Sequence, residues 1–215
     1  MAEAPRWQRR KTARPGEIEA AALEVFAEKG FAAARLDDIA ARAGLSKAAL
    51  YVYFPTKLDL FRAVIDIRAA PDIDAVAALI ETAAIPFTTL APAILAQMAG
   101  VMDQPTLRSL ALMVIAEGRN FPEIATLWHD RMVARALSLL TRAIERGQSV
   151  GEVRSGDPRL MAITLVGPMM MGVLWKGVME PIGGEPLDLL ALAREQTRTA
   201  LHGLLATPPP SGDQS

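Results

Sequence analysis

Cysteine is absent from the 215-residue chain, which excludes disulfides and thiolate metal sites. Histidine occurs only at His129 and His202. No His-Glu-x-x-His pair, no Gly-x-Ser-x-Gly elbow and no glycine-rich phosphate loop is present. Catalysis therefore has no motif behind it, and no catalytic residue, cofactor or metal is expected. Aromatic residues make up 5% of the chain against 51% hydrophobic residues overall, so an aliphatic core of Ala, Leu, Ile, Val and Met is expected. β-branched runs are few and no Asn-Gly or Asp-Gly turn occurs, which argues against hairpins and for an all-α fold. A membrane span needs about 20 apolar residues. The most apolar stretch, Leu160 to Trp175, has sixteen residues without a charge, and Gly167-Pro168 interrupts it. A buried interface helix, and no membrane partner, is the expectation there. No apolar segment follows the first basic residues, so a cytoplasmic protein is expected.

The net charge of −1 does not announce a polyanion partner, but the charge is unevenly placed. Residues 1–60 hold ten Lys/Arg and eight Asp/Glu, while the remainder holds thirteen against sixteen. Residues 1–14 carry Arg6, Arg9, Arg10, Lys11 and Arg14 against Glu3 alone, with no apolar periodicity. They read as a disordered basic arm, either laid along phosphates or serving as a solubilising tail.

The chain is organised around the stretch from Leu36 to Phe54. Leu36, Ile39, Ala40 and Ala43 recur at helical spacing. Gly44 suits the left-handed position just past a helix end, and Ser46 suits the N-cap of a second helix. Helix, glycine turn, helix is the helix-turn-helix pattern. On the second helix Leu50 and Phe54 lie four apart and face a core together, which turns Ala48 and Val52 away from it. A valine among alanines on an outward face fits a major groove, where small side chains allow close approach and an aliphatic group touches a thymine methyl. Lys47, Tyr51 and Tyr53 flank that face, within reach of phosphates and base edges. The alternative is a plain helical hairpin whose tyrosines pack in a core.

The string Asp38-Ile39-Ala40, Ala43-Gly44-Leu45-Ser46-Lys47-Ala48-Ala49-Leu50-Tyr51-Val52-Tyr53-Phe54, then Thr56-Lys57 and Leu60, resembles the DNA-binding domain of TetR-family transcriptional regulators. So does the preceding Phe26-Ala27-Glu28-Lys29-Gly30-Phe31. The resemblance covers about residues 15–62. It implies a three-helix DNA-binding domain, a C-terminal helical ligand-binding and dimerisation domain, and a homodimer on a double-stranded DNA operator. By position it places Ser46, Lys47, Ala48, Ala49, Tyr51, Val52 and Tyr53 towards DNA, and Lys57 on a phosphate. Arg35 departs from the pattern, because the family often has Thr or Ser there to cap the second helix. As a cation Arg35 still reaches a phosphate, but the cap is in doubt. A helical scaffold that has lost DNA binding is the rival reading, and the retained Lys47, Tyr51, Tyr53 and Lys57 count against it.

The first helix opens at Pro15-Gly16, buries Ile18, Ala22, Val25 and Phe26, and ends at Lys29-Gly30. A fourth, from Lys57 to Arg68, presents Leu58, Phe61, Val64 and Ile65. Residues 63–206 read as a second helical domain, with helices near 72–84, 87–102, 105–118, 122–147, 158–179 and 187–205. The resemblance assigns the last two to a four-helix bundle with a second copy. Residues 207–215 are polar and proline-rich, a disordered tail. A small apolar or amphipathic effector is expected against Met98, Met102, Met113, Trp128, Met170 and Trp175, with Glu117 among its few polar contacts. The plainer reading of the methionines is core filling.

Overall fold

The computed structural model describes residues 15–68 and 85–205. The basic arm, the helix expected at 72–84 and the C-terminal tail lie outside the described residues. Among the described residues the fold is all-α, with no strand and one isolated bridge between Val153 and Leu205. The chain divides between Val64 and Ile65 into two compact units.

The first unit is built on α1 (Pro15–Ala33), α2 (Leu36–Arg42), α3 (Lys47–Tyr53) and the beginning of α4 (Lys57–Arg68). Gly30 adopts a left-handed φ of 75°, so α1 kinks where Lys29-Gly30 marks its end. Ile18, Ala22, Val25 and Phe26 are buried, as their spacing requires. The core is less aliphatic than the composition suggests. Phe26, Phe31 and Phe61 form a triad with ring centroids 5.6–5.8 Å apart. Phe61 meets the other two edge-to-face and Phe26 stacks on Phe31, geometries that add to simple burial. On α4 the fully buried leucine is Leu60, and Leu58 is only half-buried.

The second unit contains α5 (Phe87–Asp103), α6 (Pro105–Glu117), α7 (Pro122–Trp128), α8 (Ala134–Ser149), α9 (Pro158–Leu174) and α10 (Leu189–Leu204). These match the expected spans to within about two residues. One π turn (His129–Val133) joins α7 to α8, and a second (Trp175–Met179) continues α9. The core is formed where α5, α8, α9 and α10 meet, around Leu95, Leu140, Ile144 and Leu189. Asp157 and Asp188 accept backbone N–H bonds at the starts of α9 and α10. Pro168 lies inside α9 without breaking it, as the continuous helix expected over 158–179 requires.

The run Pro158–Ile182 is long and apolar enough to cross a membrane, by length and composition alone. Leu160, Ile163, Met171 and Val178 are exposed along it, separated by three, eight and seven residues. They form a stripe on one helical face.

Candidate nucleic-acid interface and ligand cavity

The turn between α2 and α3 is set by local chemistry. Gly44 takes φ 70°. The Leu45 N–H reaches Ala40 O at 2.8 Å, and the Gly44 N–H reaches Ala41 O at 3.2 Å. These two bonds form the Schellman motif that satisfies the last carbonyls of a helix. Ser46 Oγ then accepts from the Ala49 N–H at 3.3 Å, capping α3. This fixes the phase of α3: Leu50 is 0% exposed and Val52 80%. Ser46, Lys47, Ala48, Tyr51 and Tyr53 are exposed, and Ala49 is half-buried. Phe54 is half-buried, so Leu50 anchors the helix more deeply than its expected partner does.

Ion pairs tie the short helices together. Lys47 Nζ lies 2.9 Å from Asp37 of α2 and 5.8 Å from the Tyr51 ring centroid. The hydrogen bond to the Asp37 carboxylate raises the Lys47 pKa above its ordinary value. Arg42 clasps Glu28 at 2.7 Å, and Lys29 pairs with Asp38 at 2.8 Å. Exposed pairs like these are screened by solvent, so they orient more than they stabilise. Arg35 is exposed, with extended backbone, and its side chain makes no cap hydrogen bond to α2.

Lys57 departs from the expected phosphate-facing placement. Its ammonium is half-buried and donates to the carbonyls of Phe31, Ala32 at 3.2 Å and Ala34 at 3.1 Å. It also lies 4.5 Å from the Phe31 ring centroid. An ammonium has three N–H donors, and the three accepting carbonyls lie in the last turn of α1 and the residue just after it. Lys57 therefore clamps that segment from within.

The second unit holds a cavity of about 340 Å³, open on one side, between α5, the first π turn with α8, and α9. Its wall includes Met98, Met102, Trp128, Met132, Met169 and Met170. No charged side chain lines it, and Gln97 is the polar exception at its edge. The π turn supplies Met132 and Val133 directly, and such turns recur at functional sites.

Residues 18–64 match the family described as bacterial regulatory proteins, tetR family, and residues 92–191 match the tetracyclin repressor-like C-terminal domain. The two spans together take in more than half of the chain. The chain belongs to the TetR family. It is similar to the HTH-type transcriptional regulator SrpR of Pseudomonas putida, 28% identical over 178 residues and 79% of each chain. It is also similar to the HTH-type transcriptional activator FasR of Mycolicibacterium smegmatis, 50% identical over 52 residues. That match spans 24% of this chain and 24% of FasR. The fold is shared with FadR from Bacillus subtilis in complex with stearoyl-CoA, at TM-score 0.73 and 20% identity over 88% of this chain and 99% of that one.

The chain is thus a TetR-type helix-turn-helix transcriptional regulator. Of the residues its sequence nominates for a ligand, Met98, Met102, Trp128 and Met170 line the cavity. Met113, Glu117 and Trp175 do not. Met113 and Glu117 belong to α6, which supplies no part of the wall. Trp175 is held elsewhere, its indole Nε1–H donating to Glu185 O at 2.8 Å. His129 is exposed and paired with Asp130 at 2.8 Å. Gln97 and the π-turn residues Met132 and Val133 line it too, although the sequence reading does not nominate them. A glutamine in an apolar helix at the position of Gln97 was the one available signal.

Proposed function

We propose that this TetR-family regulator is a repressor that binds a pseudo-palindromic operator as a homodimer and is released by a small apolar or amphipathic effector. The observation that carries the reading is the outward pole of α3. Val52 and Ala48 stand exposed between two tyrosines on a helix whose opposite pole, Leu50, is fully buried. That is the face a major groove accepts. Two such helices, one per protomer, would read half-sites about one helical turn apart. Ser46, Lys47, Tyr51 and Tyr53 surround the pole, and Arg35 offers a cation to the backbone.

The exposed stripe of α9 supports the dimer. A second copy would cover Leu160, Ile163, Met171 and Val178, and a helix long enough to span a bilayer is then explained without one. The apolar cavity supports the effector, and the FadR structure of the same fold holds stearoyl-CoA. Occupation would favour a dimer whose heads no longer match the half-site spacing, a population shift set by the effector's differential affinity for the two states. Repression follows from occupancy alone when the operator overlaps a promoter.

The test is a mobility shift and run-off transcription on the DNA flanking the gene, with the wild-type chain and Met171→Glu. The wild type should shift the DNA as a dimer and lower transcript yield. Met171→Glu should be monomeric by light scattering, because each protomer would bury an unpaired carboxylate, and should fail to shift. A dimeric Met171→Glu that binds normally would move the interface off α9. Raised transcript yield would make the protein an activator.

A further inference from the structure

The cavity wall has no charge to offer. Of its side chains only Gln97 and the Trp128 indole carry a polar group. Charged residues do lie close by in the chain, but they are committed to one another. Asp103 follows Met102 directly, and its carboxylate takes Lys176 Nζ at 2.5 Å. The Arg108 guanidinium donates to the carbonyls of Asp103 at 3.0 Å and Met102 at 3.4 Å. A carboxylate entering the cavity would lose its hydration and meet methionine, valine and leucine side chains. Burial of an unpaired ion is among the costliest steps in protein chemistry. A neutral hydrogen-bonding group meets no such barrier. The Gln97 amide can donate from its NH₂ and accept at its carbonyl, so it suits a hydroxyl, ketone, ester or amide equally.

We propose that the cavity selects uncharged apolar molecules bearing a hydrogen-bonding group, with Gln97 as the specificity-determining residue, and that it discriminates against carboxylates. This inference rests on the effector reading of the same cavity. Two probes of one chain length separate the cases, 1-decanol and decanoate, each titrated into the full-length protein at neutral pH by calorimetry. Release of operator DNA is followed in parallel. The alcohol should bind at least about tenfold more tightly than the carboxylate. Gln97→Leu should weaken 1-decanol about fivefold, the worth of one net hydrogen bond. Gln97→Arg, which supplies the missing cation, should narrow or reverse the preference. Gln97 is exposed at the rim, so both variants should keep wild-type helicity.

Decanoate binding as tightly as 1-decanol would overturn the proposal. So would failure of 1-decanol to bind, or a Gln97→Leu variant with unchanged affinity for it. Selective 1-decanol binding that leaves operator DNA bound would uphold the ligand class and overturn the effector reading instead.

Discussion

Val52→Glu should abolish operator binding and leave the protein folded. Val52 is 80% exposed, so a glutamate there buries no charge in the protein and breaks no packing. In the complex the same carboxylate would face the floor and walls of a major groove. Like charges brought together at an interface cost several kcal/mol. Each 1.4 kcal/mol is a factor of ten, so a loss of at least about a hundredfold is expected, and a dimer incurs it twice. Leu50→Glu is the control. Leu50 is fully buried, and a carboxylate there has no partner in an apolar core. The head should unfold, seen as lost helicity, while the second unit keeps its own cooperative transition. A folded, non-binding Val52→Glu and an unfolded Leu50→Glu head are the expected pair. The reverse outcome would rotate α3 by half a turn.

Lys57→Ala should destabilise the head without changing the charge count at the DNA. The ammonium serves three backbone carbonyls and the face of Phe31. Hydrogen bonds involving a charged partner contribute about 1.5–3 kcal/mol. The carbonyls can recover water when the lysine is gone, so about 2 kcal/mol is expected for the loss. Chemical denaturation should show it. Operator affinity would fall through the unfolded fraction of the head, while the slope of log affinity against log salt stays as in the wild type. A phosphate contact would behave in the opposite way. Its removal lowers the slope by about 0.9 and leaves stability alone. The two measurements together decide whether Lys57 is a clamp or a phosphate ligand.

What was legible in the sequence is what is decided locally. Gly44, Ser46 and the Leu50–Val52 phase act over four or five residues, and each lands where its chemistry places it. Helix ends at Pro105, Pro122 and Pro158 are local in the same sense. The backbone acceptors of Lys57 lie 23–26 residues earlier in the chain, out of reach of any local rule. Met113, Glu117 and Trp175 were nominated on side-chain chemistry, but membership of a cavity depends on which helices meet. α5, the first π turn with α8, and α9 line it, while α6 packs against α5 and α7 and supplies none of its wall. The phenylalanine triad was hidden by an average. A chain with few aromatics can still gather three of them in one small core. The π turns carry no sequence period, since one extra residue in a turn leaves the flanking apolar pattern readable as one continuous helix.

The central claim is that the exposed pole of α3 reads DNA sequence. It is tested most directly by footprinting the dimer on a fragment selected from random DNA, with wild-type protein and Val52→Glu side by side. Wild-type protein should protect two inverted half-sites about one helical turn apart, and Val52→Glu, at the same concentration and with wild-type helicity, should protect neither. Protection of the same half-sites by folded Val52→Glu would contradict the claim and place the reading surface elsewhere on the head.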